Sequence, residues 1–252
     1  MKSLKSGPAM KSALRRTVRD ILIVASLLCM LYGGARLWSE LQESAASDYA
    51  IPTLPAAQGE DADDLPRVDF PGLRGGAPGA LAWITVPETQ INYPVVQWTD
   101  NKRYLDITAA GQPSRYGAIF MDYRNSADFS DFYTIIYGHN MRNGKMFGTL
   151  KSFRESAFFD RVKYGFLQTP EKTYRLEFFA WTLSDAAGEY YKNLLFFVPG
   201  EKEAFLEMMK ETAGRWREIP LGPEDRILAL STCSYATGDE RTIVLAKLVE
   251  IA

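Results

Sequence analysis

The sequence predicts an all-β domain with added helices: a closed eight-stranded β-barrel, one helix inserted before the penultimate strand, and an N-terminal transmembrane helix. Three observations carry this. Eight short runs rich in Val, Ile, Tyr, Phe and Trp recur between residues 81 and 251, separated by Gly, Pro, Asn and Asp. Only one amphipathic helical stretch falls among them, at Glu201–Thr212. A basic segment followed by an apolar run opens the chain.

Lys2, Lys5, Lys11, Arg15, Arg16 and Arg19 precede the apolar residues 21–35. That order suits a helix whose N-terminus stays in the cytoplasm. The strictly uncharged part is short for a span of roughly 20 residues, but Arg36 can snorkel and Trp38 can sit at the interface. The alternative is a cleaved signal peptide with Ser44-Ala-Ala46 as its small-residue site. Both readings place the remainder outside the cytoplasm.

From 44 to 79, Pro52, Pro55, Pro66, Pro71 and Pro78 alternate with Gly59, Gly72, Gly75, Gly76 and the acidic group Glu60, Asp61, Asp63 and Asp64. Such a segment lacks the apolar surface to order itself and reads as a tether. The expected organisation is a cytoplasmic basic segment over 1–20, an anchor over 21–38, a stalk over 39–80 and a folded domain over 81–252.

Within that domain the strand runs are 81–86, 91–96, 117–121, 133–137, 162–167, 173–182, 226–232 and 242–251. Without long helices alternating between them, they favour a closed antiparallel barrel over a parallel α/β sheet. Pro199-Gly200 punctuates the start of the inserted helix, which places Phe205, Met208 and Met209 on one face.

With 252 residues and 46% hydrophobic content the chain can bury a full core. A net charge of -2 argues against nucleic-acid binding. One histidine and one cysteine outside the apolar segment cannot assemble a zinc site at any recognisable spacing. No phosphate-binding Gly-rich loop is present, and no cofactor is expected. Tyr190-Tyr191 and Phe196-Phe197 read as core or cleft wall.

The two cysteines, Cys29 and Cys233, belong in lipid and in the folded domain, so they cannot pair. Cys233 ends the strand run 227–232, and Arg241 opens the next. If those strands pair antiparallel, Cys233 and Arg241 face each other across a loop mouth. A guanidinium there favours a thiolate and donates to an oxyanion; the plainer alternative is a strand-edge charge. His139, the single histidine, follows the strand 133–137 and titrates near neutrality, as proton transfer to a leaving amine requires. Alone, it would read as a satisfied structural residue.

These residues resemble those of the sortases, membrane-anchored cysteine transpeptidases of mainly Gram-positive bacteria. Leu230-Ser-Thr-Cys233 with Arg241 is similar to the sortase signature, and Tyr137-Gly-His139-Asn140 to its histidine motif. Ala82-Trp-Ile-Thr-Val-Pro87, Ile91-Asn-Tyr-Pro-Val-Val-Gln97, Asp100-Asn101, Tyr104-Leu105 and the late helix resemble class B. The resemblance covers 81 to the C-terminus. It implies a sortase-type barrel with Cys233 as nucleophile, His139 as general acid/base and Arg241 as oxyanion and substrate clamp, with no cofactor. Asn101, Leu105, Tyr137 and Ser231 match positions lining the class B substrate groove.

The implied partners are surface proteins bearing a C-terminal sorting signal and a peptidoglycan precursor or cross-bridge amine. The enzyme would cleave a Thr-Gly or Thr-Asn type bond through a thioacyl intermediate at the outer face of the cell membrane. The sequence departs from some members at Ser234, where they carry an acidic residue. Two other readings are a Cys-His cell-wall peptidase or L,D-transpeptidase, whose local motifs are absent here, and a non-catalytic membrane-tethered binding module.

Overall fold

The computed structural model describes residues 8–49, 65–233 and 240–251, and the chain divides near residue 48 into two compact units. The first is one helix, α1 (Pro8–Tyr49). Its stretch Arg15–Ser39 is apolar and long enough to cross a membrane by length and composition. The helix outruns the apolar run because the helix formers Glu40, Leu41, Gln42 and Glu43 propagate it.

In the second unit the sheet holds β1 (Ala80–Thr85), β2 (Asn92–Val96), β3 (Ile119–Met121), β4 (Tyr133–His139), β5 (Tyr164–Gln168), β6 (Thr173–Asp185), β7 (Arg215–Trp216), β8 (Arg226–Cys233) and β9 (Glu240–Glu250). Eight of these run in the spatial order β5-β1-β2-β3-β4-β8-β9-β6, and β6 pairs back onto β5. The ring therefore closes, which removes the long exposed edges an open sheet would present. The two-residue β7 is an addition to the flank of β6.

The expectation of wholly antiparallel pairing is corrected. β2 pairs with β3 in parallel, and so does β4 with β8. Parallel pairing needs long crossovers, and residues 140–225 supply one that carries β5, β6, β7 and the inserted helix. Its consequence is local: β4 and β8 end on the same side of the barrel.

Side chains alternate between two apolar layers. One draws on all eight barrel strands, including Ile84, Val95, Ile119, Ile136, Leu167, Leu176, Leu230 and Val244, and fills the interior. The other lies outside on β4, β8 and β9, with Tyr133, Ile135, Tyr137, Ile227, Ala229, Ile243 and Leu245. It is covered by α2 (Phe70–Gly76), α4 (Glu189–Lys192) and α5 (Glu201–Thr212). α3 (Ser156–Arg161) and the 3-10 segment before it bring Phe153 and Phe159 into the interior layer.

The tether expected over 44–79 is also corrected in part. α1 continues to Tyr49, and α2 sets Phe70 and Leu73, three residues apart, into the outer apolar layer. Asp69 caps that helix by accepting from the Gly72 amide at 3.1 Å. Composition averaged over the segment hides these two side chains. The acidic group and Pro52, Pro55 and Gly59 lie outside the described residues. The late helix stands where expected, with Met209 fully buried and Phe205 and Met208 packed against the same layer.

Candidate active site

Along β4 the odd-numbered residues 133, 135 and 137 belong to the outer layer, and His139 continues that series. On β8 residues 227 and 229 do the same, and the alternation carries on to positions 231 and 233. On β9 residues 245 and 243 lead back to Arg241. The parallel β4–β8 ladder pairs Tyr137 with Ser231 and His139 with Cys233. The antiparallel β8–β9 ladder pairs Ser231 with Ile243. Continued two residues, that register sets position 233 opposite Arg241. The three residues singled out by sequence thus sit on adjacent strands at one end of the barrel. The turn residues 234–239, Ser234 included, lie outside the described residues.

His139 is 4% exposed. Its Nε2 lies 2.8 Å from the main-chain oxygen of Leu105. A carbonyl has no proton to give, so Nε2 is the donor and the neutral ring keeps its lone pair on Nδ1. Burial pushes the imidazole below its ordinary range. The Leu105 carbonyl and the Asp106 carboxylate oppose this and recover only part of the shift. The local sequence serves this placement. Gly138 points inward, where an added Cβ would meet Ile119 Cδ1 at 2.4 Å and the Phe147 ring at 2.7 Å. The chain then folds back, and the Phe147 amide donates to the His139 oxygen at 2.9 Å.

Leu105 closes a single 3-10 turn, Arg103–Leu105. Asp100 starts it by accepting from the amides of Lys102 (2.7 Å) and Arg103 (2.9 Å). Those bonds hold its carboxyl below the usual carboxylate range. Gly117, at φ +57°, passes so close that a Cβ would stand 2.1 Å from the Tyr104 oxygen and 2.7 Å from that of Leu105. The next amide, Ala118, donates to the Tyr104 oxygen at 2.9 Å. The carbonyl facing His139 is therefore aimed by a glycine on the entry to β3.

Two of the positions expected to line the groove, Asn101 and Tyr137, meet at a carboxylate that the sequence reading missed. Asp122, fully buried, accepts from Asn101 Nδ2 (2.8 Å), Tyr137 Oη (2.9 Å), and Arg124 Nε (2.9 Å) and Nη2 (2.8 Å). Burial by itself would raise the Asp122 carboxyl; the hydrogen bonds and charge of Arg124, with help from Asn101, bring it below the usual range. Burial and the Asp122 charge push the Tyr137 hydroxyl up, so it remains a donor. Ser231 Oγ meets Tyr191 Oη at 2.8 Å. Asn101, Tyr137 and Ser231 are thus tied into the framework beneath the surface. The only cue to Asp122 and Arg124 was an acid and an arginine two residues apart directly after an apolar strand.

Arg241 has its guanidinium carbon 5.2 Å from the Tyr191 ring centroid. Among the described residues it has no carboxylate partner, and its buried Nε has no hydrogen bond. Tyr191 in turn stacks on Tyr137 at 6.2 Å. Of the aromatic group read as core or cleft wall, Tyr190 and Tyr191 are buried and Phe196 packs against the core, whereas Phe197 is 82% exposed.

The chain matches the sortase domain model over residues 84–249. Sortase B of Listeria monocytogenes is 29% identical over 235 residues, covering 90% of this chain and 95% of that one. The Bacillus anthracis sortase B crystal structure in complex with AAEK1 is 34% identical, with TM-score 0.70 over 85% of this chain and 98% of that one. The Staphylococcus aureus sortase B–substrate complex gives 28% identity and TM-score 0.69, over 73% and 85% of the two chains. Closed barrel, late helix and family match agree: this chain belongs to the sortases, in class B, and is a cysteine transpeptidase.

Proposed function

We propose that Cys233 is the nucleophile, His139 the proton carrier and Arg241 the oxyanion donor of a sorting reaction at the outer face of a membrane. The Cys233 sulfur attacks the carbonyl carbon of a Thr-Gly or Thr-Asn type bond in a C-terminal sorting signal as the thiol proton passes to His139. The carbonyl oxygen takes up the negative charge, and the guanidinium of Arg241 donates to it. As the C–N bond breaks, His139 gives a proton to the departing amine and a thioester remains on Cys233. A peptidoglycan precursor or cross-bridge amine then attacks that thioester, yields a proton to His139 and expels the thiolate, which recovers that proton from the imidazole. The surface protein is left joined to the wall.

The observation that supports this most is the pairing of His139 with Cys233 in the parallel β4–β8 ladder. Neighbouring strands lie about 5 Å apart, within working distance for proton transfer once a substrate is bound. The absence of a carboxylate on Arg241 among the described residues leaves its charge for a substrate oxygen. Asn101, Leu105, Tyr137 and Ser231 form the supporting wall of the peptide groove. The order of basic residues and apolar helix supports an anchor over 21–38 with residues 1–20 cytoplasmic, 39–80 spanning to the outside, and 81–252 working there.

The test is cleavage of a library of Thr-Gly and Thr-Asn peptides by the full chain in detergent, with and without an amine acceptor, read by mass spectrometry. Cys233→Ala is expected to abolish cleavage, and added amine to divert product from acid to amide. Hydrolysis with no amine capture would favour a Cys-His peptidase instead.

A further inference from the structure

We propose that Arg124, fixed by the buried carboxylate of Asp122, is a positioning residue for Arg241, acting through the end of α4 and the ring of Tyr191. This rests on the reading of Arg241 as oxyanion donor. Arg241 needs a device of this kind. Among the described residues no acid holds its guanidinium, and what it lies against is the Tyr191 ring face, 5.2 Å away. Wherever that ring goes, the charge goes too.

Tyr191 belongs to a helix of only four residues, Glu189–Lys192, too short to keep its own shape. Its terminal carbonyls need outside donors. Arg124 supplies them: Nη1 donates to the Tyr191 oxygen at 2.9 Å and reaches the Lys192 oxygen at 3.4 Å. The remaining arms of the same guanidinium, Nε and Nη2, form a two-point fork on Asp122. That carboxylate is immobilised by Tyr137 and Asn101 as well. A planar fork with a spare arm does both jobs at once, which a lysine ammonium on a flexible stem does not. The hydroxyl end of Tyr191 is pinned to Ser231, two residues before Cys233. Main chain and ring tip are thus each fastened, one to the turn after β3 through Arg124 and one to β8. The line from Asp122 to Arg241 runs through the turn after β3, α4 and β9, with its ends separated by 119 positions in sequence (241 minus 122).

The experiment compares Arg124→Lys and Asp122→Asn with wild type in the full chain in detergent, using a peptide the wild type cleaves. Each variant is expected to lose about 10- to 100-fold in kcat, with a smaller change in KM. The rate and pH profile of Cys233 alkylation by iodoacetamide are expected to stay unchanged, because the Cys-His pair is not touched. In an Arg241→Lys background, Arg124→Lys is expected to cost less than about twofold more, since the position it controls is already compromised. Losses that multiply in full in both backgrounds would overturn the coupling, as would alkylation that falls in step with turnover. If Arg124→Lys does not fold, Tyr191→Leu, which removes the ring face, carries the same comparison against Tyr191→Phe, which keeps it. Wild-type turnover in Arg241→Lys alone would instead sink the reading of Arg241 itself.

Discussion

The imidazole Nε2 of His139 donates to the main-chain oxygen of Leu105 at 2.8 Å. A base held by a third group is the general arrangement for activating a nucleophile, but here that group is a neutral carbonyl. It selects the tautomer without adding the negative charge that would favour imidazolium. Burial lowers the proton affinity of the ring further.

That bond depends on Gly117. In Gly117→Ala the new Cβ collides with the oxygens of Tyr104 and Leu105 at a positive φ that alanine disfavours. Turnover is expected to fall about 10- to 100-fold. Because the chain has one histidine, 15N spectra show a single ring, and its protonated nitrogen is expected to be Nε2 in wild type. An unchanged spectrum with full activity in the alanine variant would remove Gly117 from the account.

Stability should register the buried imidazole. The folded His139 holds its proton less tightly than the unfolded ring, whose pKa is about 6.5. The unfolded chain therefore takes up the extra proton first as pH falls. The contribution is complete above about pH 6.5 and is lost as pH drops through the lower folded value. The thermal midpoint is expected to fall between pH 7 and pH 5 in wild type, and to fall less in His139→Gln. A midpoint that rises on acidification across this window would contradict the burial argument.

Asp122 titrates in a different window. Its carboxyl lies below the ordinary range in the fold, so its stabilisation is present above about pH 4 and lost as pH falls through the lower value. Asp122→Ala strands the Arg124 guanidinium and the Tyr137 hydroxyl, and should cost about 3–5 kcal/mol near neutral pH. Urea unfolding at pH 7 measures it; a loss below about 1 kcal/mol, the size of a surface pair, would show that the network is solvated.

The strand runs and the late helix were legible because each leaves a local mark, alternation or helical spacing; Cys233 and His139 drew notice by scarcity of residue type, and Arg241 by its place one turn beyond the cysteine. The Gly138-His139 pair was legible as a motif, but its reason, the Phe147 ring against the glycine, lies eight residues beyond the histidine. The parallel pairing of β4 with β8 was not legible. Strand composition does not distinguish parallel from antiparallel neighbours when both faces are buried, and here helices cover the outer face. Phe70 and Leu73 were hidden inside a Pro- and Gly-rich average. Asp122 and Arg124 were invisible for another reason: what defines them is the set of Asn101, Tyr137 and Tyr191 around them, assembled only by barrel closure.

The most direct measurement of the account is intact-mass spectrometry of the full chain mixed with a cleavable Thr-Gly or Thr-Asn peptide and quenched in acid during turnover. The account expects one added mass equal to the peptide's N-terminal fragment, mapped to Cys233, removable by hydroxylamine and accumulating less in Arg241→Ala. An adduct elsewhere in the chain, or turnover that persists in Cys233→Ala, would contradict it.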